Sequence, residues 1–191
     1  MSKQLSLFPE LDVKKVYKTW IALFSQTGTE IVEVSKHLGR WPDYIVTNER
    51  PDHLRTINPE LEGKVIFVEN KPTEAELELI LSQGENQFVT LHGWLRIMPP
   101  IICNKYLIYN GHPGLITMYP ELKGKDPQMK AFNLKHDLMG CVIHKVTAGV
   151  DEGKVLKEVF FNAWGITEEN MWKTLRDRSS YLWIKFLKEL V

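Results

Sequence analysis

The segment Tyr109–Leu115 reads YNGHPGL and sets an asparagine two residues before a histidine, directly ahead of a Pro-Gly pair. In an extended backbone residues i and i+2 project from the same side, so the Asn110 amide and the His112 imidazole would leave the end of a strand together. Pro113 and Gly114 turn the chain out of the strand at once and leave both side chains little room. Taken singly, His112 reads as a structural histidine and Asn110 as a capping or turn residue. Together they offer an amide donor beside a proton-transferring imidazole. Acyl transfer needs that pair, because charge develops on a carbonyl oxygen as a proton changes hands.

Asp151, in AGVDEG between Gly149 and Gly153, is the carboxylate that could orient His112. Read locally it is a loop aspartate making an Asx-turn, and spacing alone does not bring it to His112. A metal reading would use His92, His112, His144 and Asp151, but no two of them have a helical i,i+4 or cysteine-type ligand spacing, so no metal is assigned. SQTGTE, Ser25–Glu30, could cradle an anion at a helix N-terminus; with one glycine and no following lysine the signal is weak. Cys103 and Cys141, the only two cysteines, sit beside Ile or Val and read as reduced, buried thiols rather than a bridge, a metal pair or nucleophiles.

The elements that must position these groups alternate in type. TWIALFS (Thr19–Ser25), DYIVTN (Asp43–Asn48), KVIFVEN (Lys64–Asn70), QFVTLHG and KYLIYNGHP read as short apolar strands. A helix follows SQTGTE, and TEAELELILSQG is a helix with Thr73 as N-cap, an acidic first turn and an end near Gly84; a short helix is expected around Pro100–Lys105. Nearly all-apolar strands alternating with helices predict an α/β fold: a Rossmann-like, mostly parallel twisted sheet covered on both faces. In such a sheet the loops SQTGTE, HGWLRIMP and NGHPGL all lie at the carboxyl rim, where ligands bind. GCVIHKV and KVLKEVFF read as late strands with a polar, hairpin-like connection. The last helix opens at Thr167 and Glu168, and Trp172, Leu175, Leu182, Trp183, Phe186, Leu187 and Leu190 fall at helical spacing as a core stripe.

The 191 residues suit one domain, with residues 1–15 expected to be mobile. Lys plus Arg equals Asp plus Glu at 24 each, so no global field draws the chain to nucleic acid or a membrane. No signal-peptide core or run of membrane-spanning length appears, and a soluble, cytoplasmic protein is expected.

YNGHPGLITMYPELKG, followed after a helix-length gap by GCVIHKVTAGVDEGKVL, resembles the N-terminal formyltransferase family, which includes glycinamide ribonucleotide formyltransferase and the catalytic domain of methionyl-tRNA formyltransferase. The family signature is Asn-X-His-Pro/Ala/Gly-Ser-Leu-Leu-Pro and then an aspartate in a Val-Asp-X-Gly loop, so the resemblance places Asn110, His112 and Asp151 at the catalytic positions. LHGWLRIMPP is similar to the family's Gly-X-X-Arg-Ile-Leu segment, which helps form the folate pocket. The resemblance therefore implies 10-formyltetrahydrofolate as co-substrate, held by Arg96, Ile97 and Met98 with Ile108 and Val150, and an amine acceptor near Gly28, Thr29 and Glu30. Two departures stand out. Gly114, Leu115, Ile116 and Thr117 replace Ser-Leu-Leu-Pro, and in the loop that holds the substrate phosphate of glycinamide ribonucleotide enzymes Gln26 replaces a glycine and Glu30 an asparagine. A carboxylate there would repel a phosphate unless a base such as Lys123 or Lys125 offsets it.

The reading is thus a folate-dependent formyltransferase acting on a small-molecule amine, with purine synthesis as one pathway. Its rivals are an amino-sugar nucleotide formyltransferase, a formyltetrahydrofolate hydrolase and a folate- or nucleotide-binding module without turnover. Hydrolases of this kind usually carry an extra N-terminal regulatory domain, for which 191 residues leave no room; intact Asn, His and Asp argue against the module.

Overall fold

The computed structural model describes residues 17–50 and 56–190; residues 1–15, expected to be mobile, lie outside the described residues. The described strands are β1 (Trp20–Phe24), β2 (Tyr44–Thr47), β3 (Val65–Phe67), β4 (Phe88–Leu91), β5 (Ile108–His112), β6 (Leu138–Lys145) and β7 (Val155–Asn162). They form one seven-stranded sheet in the order β3-β2-β1-β4-β5-β6-β7. The first five are parallel, whereas β6 runs antiparallel to β5 and β7 antiparallel to β6. The fold is the expected Rossmann-like α/β sheet. Strand order reverses between β1 and β4, where open α/β sheets leave a ligand crevice.

Among the described residues the α-helices are α1 (Thr29–Leu38), α2 (Glu74–Leu81), α3 (Pro100–Lys105), α4 (Pro127–Asn133) and α5 (Glu168–Leu187). Thr73 caps α2 by accepting from Glu76 N, and Thr167 caps α5 by accepting from Asn170 N. Strand alternation divides the interior into two cores. Trp20, Ala22, Phe24, Phe88 and Tyr109 pack with α1 and α5 on one face. Ile21, Leu23, Val89, Leu91 and Ile108 pack with α2 and α3 on the other. Burying both faces explains why β1 and β4 read as unbroken apolar runs.

The stripe on α5 needs one correction: Trp172 lies outside the core, 39% exposed, with its indole N–H donating to Glu168 Oε1 one turn back. Its neighbour Met171 occupies the inward position instead. The edge strand β3 is half covered, and Ile66 and Phe67 reach solvent. Among the described residues no helix is long and apolar enough to cross a membrane.

Candidate active site

Asn110 and His112 project from the end of β5 on the α2/α3 face, because Ile108, two residues earlier, packs into that core. Gly111 between them faces the other way, towards Trp183 of α5. His112 is buried, with Nε2 donating to Leu122 O at 2.9 Å. Its Nδ1 lies 3.3 Å from Asp151 Oδ2. The carboxylate that sequence spacing left unplaced therefore meets the imidazole directly.

Asp151 arrives by an indirect route. β6 is antiparallel, with Lys145 level with Tyr109, so the loop after it starts near the beginning of β5 and must fold back over the sheet. Gly153 makes that possible: a Cβ there would lie 1.6 Å from Lys145 O. Asp151 itself has a left-handed backbone, φ 52°, a conformation in which Asp and Asn are enriched. Its Oδ2 also accepts from Gly124 N at 2.8 Å, which ties the segment after β5 to the same carboxylate.

His144 completes the cluster. On β6 it pairs directly with Asn110, and Asn110 Nδ2 donates to His144 Nε2 at 3.1 Å. The other nitrogen, Nδ1, donates to Lys145 O at 3.1 Å, and Asp151 Oδ1 lies 3.3 Å from Nε2. Sequence reasoning weighed His144 only as a metal ligand. The available signal was a lone polar residue in the apolar run GCVIHKV. One hydrogen of the Asn110 amide goes to His144, which leaves the second for a substrate oxygen.

Burial pushes the His112 pKa below the ordinary histidine value, against the opposing pull of Asp151 and the Leu122 carbonyl. Burial also works against the charge on Asp151, but contact with His144, His112 and the Gly124 N–H holds its carboxyl below the usual range. The cluster pairs a buried imidazole, neutral at pH 7, with a carboxylate ready to balance a proton taken at Nδ1. His92, grouped with these residues in the sequence reading, lies on the opposite face of the sheet against Trp183. Cys103 and Cys141 are free and buried, and burial raises both thiol pKa values.

The remaining candidates line the carboxyl rim. Leu95 N donates to Ser25 Oγ and Ser25 N to Gly93 O, which joins the loops after β1 and β4. Arg96 bridges to the segment after β3, Nε donating to Asn70 O at 2.6 Å and Nη2 to Asn70 Oδ1. Ile97 and Val150 are exposed apolar side chains at 74% and 49%. Met98 and Ile108 are buried in the core and present no side-chain surface to a ligand. A pocket of about 180 Å³ opens between Lys71, Pro72, Leu77, Trp94, Arg96 and Ile97. Trp94, one of its lining residues, has its Nε1 buried without a hydrogen-bond partner.

On the β1 side, Gly28 is the N-cap of α1 with φ 68°, and a Cβ would strike Leu61 Cδ1 at 2.4 Å. Thr29 opens the helix, its N–H donating to Thr27 Oγ1. The Glu30 side chain turns inward to His92 and Ser179 rather than capping the helix. Lys123 and Lys125, exposed, flank Gly124 on the segment that touches Asp151.

A family model described as formyl transferase matches residues 24–185, from the end of β1 into α5, and includes all of these side chains. The chain belongs to this family. Its fold is similar to phosphoribosylglycinamide formyltransferase from Streptococcus pneumoniae TIGR4, with TM-score 0.73 and 22% identity over 90% of this chain and 97% of that one. The same enzyme from Anaplasma phagocytophilum gives TM-score 0.76 and 19% identity over 90% and 86%. A formyltetrahydrofolate deformylase from Pseudomonas syringae pv. tomato gives 0.72 and 18% over 91% of this chain and 61% of that one. A comparison with curated protein sequences finds no match. Fold likeness thus extends both to transferases and to a deformylase.

Proposed function

We propose that this chain transfers the formyl group of 10-formyltetrahydrofolate to the amine of a small molecule. The observation that carries the reading is the Asn110–His144–Asp151–His112 cluster, which joins an amide donor, a buried imidazole and a carboxylate at one strand end. The folate supplies an activated formyl group; the side chains supply charge stabilisation and proton transfer.

Asn110 directs its free N–H at the acyl oxygen, where negative charge develops. The amine attacks the formyl carbon and gives up a proton to His112 Nδ1, since Nε2 already donates to Leu122 O; Asp151 stabilises the imidazolium so formed, and the proton passes to the folate nitrogen as its bond to the formyl carbon breaks and tetrahydrofolate leaves. His144 fixes the Asn110 amide plane. The rim suits a flat, acceptor-rich anionic co-substrate. Ile97 and Val150 offer apolar surface, and Arg96 and Lys71 offer positive charge. Arg96 and Ile97 hold the pterin through backbone and apolar contacts, Met98 through its backbone alone, and Val150 covers it, while Ile108 supports the strand from within the core. Gly28 and Thr29, in the turn from β1 into α1, form the acceptor side; Glu30, expected there from the sequence, turns its carboxylate inward to His92 and Ser179 instead.

Water in place of the amine would make the same cluster a deformylase, the activity named for the Pseudomonas syringae neighbour. One experiment separates the two. Pure protein is incubated with 10-formyltetrahydrofolate and a panel of amines that includes glycinamide ribonucleotide and amino-sugar nucleotides, with mass detection of the products. A formyl-sized gain on one amine is the expected result; folate-dependent release of formate with no formylated amine overturns transfer in favour of hydrolysis.

A further inference from the structure

The most complete polar network outside the site lies directly behind it. Thr90, near the end of β4, and His92, just beyond it, face α1 and α5, opposite in direction to Asn110 and His112. The His92 side chain is fully buried, and its Nδ1 donates to Glu30 Oε2 at 2.7 Å. The second Glu30 oxygen, Oε1, accepts from Ser179 Oγ on α5. Thr90 Oγ1 lies 3.0 Å from His92 Nε2 and accepts from Trp20 Nε1 at 2.8 Å.

The directions of these bonds agree with one another. The indole of Trp20 can only donate, so the Thr90 hydroxyl is free to pass its own hydrogen to His92 Nε2. His92 then carries its ring proton on Nδ1, facing the carboxylate. Glu30 receives one hydrogen on each oxygen. Trp20, Thr90, His92, Glu30 and Ser179 thus form one continuous chain linking β1, β4, α1 and α5. Buried polar networks of this kind rigidify what they join.

The network touches the catalytic strand through Trp183. The His92 and Trp183 ring centroids are 4.5 Å apart, and the indole edge fills the space that a Cβ of Gly111 would occupy, 2.6 Å from Trp183 Nε1. The register pairs Leu91, the last residue of β4, with Asn110, so His92 and Gly111 each follow directly on that pair. Trp183 Nε1 has no hydrogen-bond partner, so packing alone orients the ring, and the surfaces that hold it are His92, Phe186 and the Gly111 backbone.

We propose that Glu30, His92 and Trp183 are positioning residues: locked by Ser179 and Thr90, they press on the rear of Gly111 and fix the Asn110 amide and the His112 imidazole relative to each other. Glu30, the residue that departs from the family loop, acts here from behind the sheet. The consequence for activity rests on the formyl-transfer reading; the consequence for Gly111 does not.

The test uses Glu30→Ala, Glu30→Gln and Trp183→Phe in the full chain. Glu30→Ala opens the network, whereas glutamine can still accept from His92 and reach Ser179. Misplacement of about 1 Å remote from the reacting atoms costs up to 10²-fold. Glu30→Ala should therefore lower kcat by about 10–100-fold with folate KM within about twofold of wild type, and Glu30→Gln should restore most of it. The amide resonances of Gly111 and His112 should move in Glu30→Ala and in Trp183→Phe and return in Glu30→Gln, an outcome that requires no substrate. Unchanged Gly111 resonances in a folded Glu30→Ala or Trp183→Phe protein overturn the proposal. So does equal loss of kcat in Ala and Gln variants, which assigns the carboxylate charge a direct role. Shifted resonances in a protein inactive towards every amine and towards water support positioning while removing the formyl-transfer reading.

Discussion

Replacing Asp151 by Asn probes the centre of the cluster at almost constant shape. The new Oδ1 can keep the Gly124 N–H bond, and its Nδ2 can face His144 Nε2, where Asp151 Oδ1 stood 3.3 Å away. What disappears is the charge 3.3 Å from His112 Nδ1, where both side chains are about nine-tenths buried. Coulomb attraction at that separation with an effective dielectric of about 20 has a ceiling of about 5 kcal/mol. Positioned proton transfer contributes about 10²–10⁴ in rate, or about 2.7–5.4 kcal/mol, so the two scales agree and kcat should fall by that factor. Steady-state rates with 10-formyltetrahydrofolate and the accepted amine measure the fall, and affinity for a folate analogue serves as control. The pH profile adds a sign. In the proposed mechanism His112 acts in its neutral form, and Asp151 raises its pKa against the lowering by burial. Without Asp151 the acid limb should move to lower pH. A folded Asp151→Asn enzyme with kcat within threefold of wild type, or with its acid limb moved upwards, would refute the assignment.

Asn110→Ala should lose about 10²–10³ in turnover, the cost of one oxyanion donor, with folate affinity little changed; weaker folate binding at unchanged kcat would make it a binding residue. Stability should fall on acidification: the lowered His112 pKa makes the unfolded chain bind the extra proton first below its ordinary value near 6.5, and the lowered Asp151 pKa adds a second loss below about 3.8. Urea midpoints for wild type and His112→Asn between pH 7 and 5 check this, the variant being expected to show the flatter dependence. Gly153→Ala places a Cβ against Lys145 O and should displace the Asp151 loop, lowering kcat more than it lowers the melting temperature; wild-type turnover would show that the loop adapts.

Local pattern carried much of this protein. The apolar runs of β1 and β4, Thr73 and Thr167 as helix caps, and the Pro-Gly stop after His112 depend on neighbours within a turn or a strand, and each formed as read. The shared face of Asn110 and His112 follows from the two-residue period of a strand, and the common rim of three loops from parallel pairing of β1, β4 and β5. Trp172 misled because a helical stripe has edges, and spacing does not say which edge meets the sheet.

Tertiary structure decided the contacts between residues distant in sequence. Asp151 reaches His112 only because β6 turns antiparallel and a glycine lets the following loop fold back, a fact of register that no spacing contains. His144 joins Asn110 through strand pairing across 34 residues. Glu30, which from its place at a helix start appeared to face an incoming phosphate, instead closes a network with residues 62 and 149 positions away. A helix start fixes where a carboxylate begins, but partners brought in by the packing of α5 and β4 fix where it ends. The residue types able to do the chemistry were set by the sequence; their mutual distances, on which proton transfer depends, were set by the sheet.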